Sequence, residues 1–237
     1  MQQIGIELKV LNLICEIAEE IENNHAEFNE RYLHHFFSNK LQNIISPINL
    51  YGNISETILH PEWPTYKEKS GITCSKYKNS NVGKNGMGGH IDFAIGEYKK
   101  PHIGIEFKLS NNWNNDGMVF DFLKLMDKKN PFKTSLSLAI ILWEKKLSKN
   151  GYLHDLVNHY NSSISEAKKR LGTNLCGAER KLYFIITEVE TNNNKSDGRR
   201  HFIYIKDKFE KIEDGNRLLQ SLIQLYSINS EAEYFGE

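Results

Sequence analysis

Apolar residues return at three- and four-residue intervals through Ile6, Val10, Leu13, Ile14, Ile17 and Ile21, while Glu16, Glu19, Glu20 and Glu22 fall largely on other faces. That spacing predicts an amphipathic first helix whose apolar stripe packs on a core. A second helix is predicted over about 25–40, where Phe28, Tyr32, Leu33, Phe36 and Phe37 share one broad apolar arc and Glu30 falls at its edge. Pro47 and the Gly52-Asn53 pair then break the pattern. A stretch punctuated by proline and glycine follows from 61 to 89, with a short strand expected around 72–77.

From Gly88 the period changes to two. GGHIDFAIGEYKKPHIGIEFKLS reads as two strands around a polar turn, with Ile91, Phe93 and Ile95 on one face and His90, Asp92 and Ala94 on the other. In the second run Ile103, Ile105 and Phe107 supply the apolar face, and Glu106 and Lys108 are neighbours on the opposite one. A loop of about five residues centred on Lys99 sets Asp92 across from Glu106; a slip of two makes them diagonal. Beyond the polar SNNWNNDG, the run MVFDFLKLMDKK suits a helix on a sheet, and SLSLAIILW a buried strand. A helix over about 152–171, strands near 182–189 and 201–205, and a last helix over about 214–226 complete the pattern. The alternation predicts an α/β chain with a central mixed sheet flanked by helices.

Opposed like charges in a sheet cost some tenths of a kcal/mol to about 1 kcal/mol, and burial raises that cost. Two arrangements answer it. A divalent cation can sit between Asp92 and Glu106, as Mg²⁺ prefers one or two carboxylates and retained waters. Alternatively, Lys108 neutralises Glu106 while Asp92 faces solvent.

The 237 residues suit one α/β domain with appendages, and 39% apolar content, spread along the chain, excludes a disordered or fibrous class. The start lacks a basic n-region and is interrupted by Glu7, Lys9, Glu16 and Glu19, so neither a signal peptide nor a membrane span is expected and a cytoplasmic location is. Cys15, Cys74 and Cys176 are scattered and without a C-x-x-C partner, which predicts no disulfide framework or cysteine zinc site. Thirty basic and thirty acidic residues cancel, so any nucleic-acid partner must meet a local patch. The candidate patch is TYKEKSGITCSKYKNSNVGKNGMGGH, where Lys76, Lys78 and Lys84 lie near the hairpin with Tyr66 and Tyr77 interleaved. His34-His35 and His90 lack a third ligand at helical spacing, so zinc is not expected. Arg180, Arg199 and Arg200 belong to further basic clusters without an assigned role.

Asp92, then after thirteen residues Glu106-Phe107-Lys108, forms an Asp...Glu-x-Lys on consecutive strands that resembles the PD-(D/E)XK, or restriction-endonuclease-like, nuclease superfamily. The order of helix, three strands, helix and strand over about 25–143 fits that family's core, leaving about 144–237 as a C-terminal extension of helix and strands in a single domain. Ile91 stands where the family name implies proline. The resemblance implies that Asp92 and Glu106, with the main-chain carbonyl of Phe107, hold Mg²⁺, with Mn²⁺ able to substitute, and that Lys108 positions or activates the attacking water. Glu30 is the choice for the glutamate that many members add from the first core helix, and Glu27 the second choice. The implied activity is hydrolysis of DNA phosphodiester bonds by a restriction or phage-defence endonuclease acting on duplex DNA, for which a two-fold homodimer is the natural form for palindromic cutting. The alternatives are a catalytically inactive nucleic-acid-binding module on the same fold and an interaction protein whose hairpin charges are surface pairs.

Overall fold

The computed structural model describes residues 2–21, 29–46, 49–50, 57–65, 76–77, 87–110, 115–143, 152–190, 199–213 and 217–224. The first amphipathic pattern forms α1 (Gln2–Glu20), with Val10, Leu13, Ile14 and Ile17 buried. The second helix, α2 (Glu30–Gln42), is described from a later residue than its apolar pattern suggests. Asn29 fixes that start, since its backbone is extended and its side chain accepts a hydrogen bond from the Tyr32 N–H at 3.1 Å. The buried stripe of α2 is Leu33, Phe37 and Leu41, and Tyr32 lies 48% exposed, outside the arc expected of it.

Seven strands make one sheet in the order β1-β4-β5-β6-β7-β8-β9. They are β1 (Leu59–Pro64), β4 (His90–Glu97), β5 (Lys100–Ser110), β6 (Thr134–Trp143), β7 (Lys181–Glu190), β8 (Arg199–Ile205) and β9 (Lys208–Lys211). Parallel pairing joins β5 to β6 and β6 to β7; the remaining neighbours are antiparallel, so the sheet is mixed. Helix α3 (Asn115–Met126) connects β5 to β6, α4 (Tyr152–Leu171) connects β6 to β7, and residues 218–224 are helical. The parallel pairs need such crossovers, whereas the antiparallel pairs do not.

Two departures from the sequence pattern concern strands. LHPEWP forms β1 although it holds two prolines, because it lies at one edge of the sheet, where a missing N–H costs no ladder bond. The segment expected to be that strand is described only as β2 (Lys76–Tyr77), paired with β3 (Met87–Gly88) in a separate ribbon. β9 went unanticipated because the turn before it, Lys206-Asp207, adopts φ of 48° and 70° without the glycine or asparagine that usually marks such a turn.

Each face of the sheet carries its own core. Leu13, Phe37, Phe93, Ile105 and Phe107 join α1 and α2 on one face, while Phe122, Leu125, Ile164, Ile91 and Phe184 join α3 and α4 on the other. Burial on both faces explains the near-continuous apolar run of β6. Ile91 thus packs opposite to Phe93, contrary to the simple alternation expected of the strand. The change falls at Asp92, where the β1–β4 pairing passes from Pro61↔Phe93 to Trp63↔Ile91 and Glu62, between them, takes a left-handed φ of 50°. Among the described residues no helix is long and apolar enough to cross a membrane.

Candidate functional site

The site begins where β4 parts from β5. Their hairpin closes through the two-residue turn Tyr98-Lys99, tighter than the loop expected, and a bulge between Ile95 and Gly96 absorbs the difference. Gly96 serves that bulge at a φ of 124°, which L side chains rarely adopt. Past the bulge the register runs to Phe93↔Ile105, so Asp92 and Glu106 stand level at the next position. They do not meet as bare opposed carboxylates. The Asp92 carboxylate accepts the Phe107 N–H at 2.7 Å, taking a donor that a continued strand would have used. Two residues on, the Leu109 N–H lies 3.5 Å from Glu30 Oε2 at the start of α2. Side-chain carboxylates from a strand and a helix therefore cap the edge of β5 that β4 leaves open.

On the other face, Glu106 is only 3% exposed and contacts the ammonium of Lys124 from α3. Lys124 also lies 3.0 Å from Asp121 Oδ1 and donates to the His90 carbonyl at 2.9 Å. Its stem passes over Gly89, where an added Cβ would meet Thr65 Oγ1 at 2.9 Å and Lys124 Cδ at 3.2 Å. Lys108 stands between two acids, 3.5 Å from Glu30 Oε2 and 3.5 Å from Asp121 Oδ2. Glu30, Lys108, Asp121, Lys124 and Glu106 thus alternate in sign across the fork. With Asp92 included, four carboxylates face two ammonium groups. His34, from α2, brings Nε2 to 3.3 Å from Asp92 Oδ2.

Proton affinities follow from this arrangement. Burial alone would lower Lys108, but Asp121, Glu30 and Glu106 outweigh it and hold the ammonium protonated. Lys124 is likewise buried, and Asp121 and Glu106 push it upward. Burial pushes the Glu106 carboxyl well above the ordinary range; Lys124 opposes this while Asp92 and Asp121 add to it. Asp92 behaves differently. Its burial is outweighed by His34 and the Phe107 N–H, which hold it below the usual carboxylate range.

Of the residues singled out in the sequence, Asp92, Glu106, Lys108 and Glu30 come together here, and Asp92 and Glu106 are both largely buried. Asp92 does not face solvent, and the partner of Glu106 is Lys124, so neither half of the Lys108-neutralisation arrangement holds. Lys78, Lys84 and Glu27 lie outside the described residues, and of Lys76 only its backbone in β2 is described. Asp121 and Lys124 are additions. Their signal was an Asp and a Lys three apart in the otherwise apolar VFDFLKLM, a helix whose Met118, Val119, Phe122, Leu123, Leu125 and Met126 are all buried. A helix apolar on most faces cannot turn such a pair wholly to water.

No family model, curated protein or solved structure matches the chain. Other basic clusters have structural partners: Arg180 donates to the carbonyls of Leu125, Asp127 and Asn130, and Arg199 to that of Ile21 at the end of α1. Cys15 is a buried free thiol and Cys176 a half-buried one; Cys74 lies outside the described residues.

Proposed function

We propose that the chain is a metal-dependent nuclease of the PD-(D/E)XK, restriction-endonuclease-like kind, hydrolysing phosphodiester bonds in DNA. The observation carrying this reading is the convergence of Asp92, Glu106, Lys108 and Glu30 at the fork of β4 and β5, from one hairpin and a helix far from it in sequence. The order α2, β1, β4, β5, α3, β6 supports it, with the β2–β3 ribbon inserted.

Asp92, Glu106 and the Phe107 carbonyl would hold Mg²⁺ or Mn²⁺. The bound ion would supply charge stabilisation for the in-line transition state and a water of lowered pKa. Asp92 is prepared for that role, because its hydrogen bond from Phe107 fixes the carboxylate and its depressed pKa keeps it ionised. Lys108, kept protonated by Asp121, Glu30 and Glu106, acts as a fixed cation beside the scissile phosphate and not as a neutral base. Glu30 holds Lys108 from the α2 side and is its positioning residue. One observation favours a second reading, a non-catalytic nucleic-acid-binding module: Lys124 already supplies Glu106 with a cation.

Supercoiled plasmid incubated with the purified chain in Mg²⁺, Mn²⁺, Ca²⁺ or EDTA separates the readings. Nicking or linearisation in Mg²⁺ or Mn²⁺, absent in EDTA and reduced at least about 100-fold in Asp92→Asn, is expected of the nuclease. Plasmid binding without cleavage in any metal would establish the binding module. Cleavage that persists in EDTA would overturn the metal mechanism.

A further inference from the structure

Asp92 has a second set of neighbours that the Asp...Glu-x-Lys pattern does not contain. His34 from α2, Glu62 from β1 and Asp92 from β4 each offer one ligand atom, and these atoms lie within 4.8 Å of one another. His34 Nε2 is buried and faces Asp92 Oδ2 at 3.3 Å. The His34 ring is wedged against Phe93 and Phe107, with centroid distances of 5.3 and 5.9 Å, which orients it toward the fork. Glu62, an exposed residue of the edge strand with a left-handed backbone between Pro61 and Trp63, reaches the same point.

We propose that His34, Glu62 and Asp92 form a cation site that takes a divalent first-row transition-metal ion, of the Mn²⁺ or Zn²⁺ class, in preference to Mg²⁺ or Ca²⁺. The inference rests on the nuclease reading only in sharing Asp92. Its chemistry is that of the donor set. The imidazole suits Zn²⁺ and the two carboxylates suit Mn²⁺, which as a first-row transition ion also accepts an imidazole nitrogen, whereas Mg²⁺ and Ca²⁺ favour oxygen alone. An ion about 2.0 to 2.2 Å from each donor sets the ligand atoms roughly 3 to 4 Å apart, so the cluster closes on it by side-chain rotation. Glu106 is not needed, since Lys124 holds it from the α3 face.

The test is binding of Mn²⁺ to the full chain without nucleic acid, followed by electron paramagnetic resonance, with imidazole nitrogen coupling read by spin-echo modulation. Wild type is expected to bind Mn²⁺ at least about tenfold more tightly than Mg²⁺ and to show nitrogen coupling. His34→Gln should abolish the coupling, and both His34→Gln and Glu62→Gln should weaken Mn²⁺ at least about tenfold, while Glu106→Gln retains the coupling. Circular dichroism melts establish that each variant is folded. Bound Mn²⁺ without nitrogen coupling, unchanged affinity in His34→Gln, or no Mn²⁺ binding would overturn the inference. The nuclease reading fails separately: nitrogen-coupled Mn²⁺ without plasmid cleavage in any metal defeats it and leaves this site standing, and Mg²⁺-dependent cleavage without nitrogen coupling does the reverse.

Discussion

Lys124 is 5% exposed, yet it carries a charge that Glu106, Asp121 and the His90 carbonyl all use. Removing one member of a buried ion pair strands the other, which typically costs roughly 3–5 kcal/mol, whereas removing both can be nearly neutral. Lys124→Met should therefore lower the unfolding free energy of the metal-free chain by that order, and adding Glu106→Gln should recover much of the loss. Urea denaturation of the parent, both single variants and the double variant completes the cycle. Additive losses would mean that the two groups stand independently. The same residue explains why the opposed carboxylates expected from strand spacing do not unfold the hairpin: Asp92 turns to the Phe107 N–H and Glu106 to Lys124, so each has a separate partner.

At the scale of the element, α2 delivers two groups to the fork, Glu30 in its first turn and His34 one turn later. Asn29 caps that turn, so Asn29→Ala should destabilise the chain by about 1 kcal/mol, while Asn29→Ser and Asn29→Asp should remain close to the parent. Thermal melts measure the stability effect. If α2 positions the site, Asn29→Ala should also weaken plasmid cleavage under conditions where the chain is fully folded, and an unchanged rate would detach the site from the helix start. What was legible in the sequence follows the same local logic. Glu106 and Lys108 could be found because strand periodicity assigns faces within a few residues, Asp92 because it is the lone carboxylate in an apolar run even though the alternation breaks there, and Glu30 because it sat at the edge of a helical arc. Glu62 could not, since its strand is written with prolines and exists only because β4 pairs with it. Asp121 and Lys124 were hidden by reading their helix as ordinary packing on a sheet. The C-terminal helix and strands were anticipated from patterning, but their joining of the same sheet through β6 and β7 is a long-range fact that no local period encodes.

Over the whole molecule, the sheet extends past the fork through β7, parallel to β6, and then the antiparallel strands β8 and β9, and this extension carries its own buried acid. Glu188 in β7 is 1% exposed and lies opposite Arg200 in β8, with Oε2 2.8 Å from the Arg200 Nε. Burial raises its carboxyl to about 7, against the opposing pull of Arg200 and Lys211. A carboxyl whose folded pKa exceeds its unfolded one binds its proton more tightly in the native state, so its contribution to stability is fully present below the unfolded pKa, about 4.3. That contribution is lost as pH rises toward 7. Stability of the parent should therefore decline from about pH 4.5 to about pH 7 by an amount that Glu188→Gln removes, since the neutral amide keeps the shape without the titration. Urea midpoints measured at intervals from pH 4.5 to 8 for parent and variant give the two curves, and their difference isolates Glu188 from the acids at the fork. Parallel curves would mean that Arg200 holds Glu188 ionised throughout, and that β7 and β8 are joined by an ordinary ion pair.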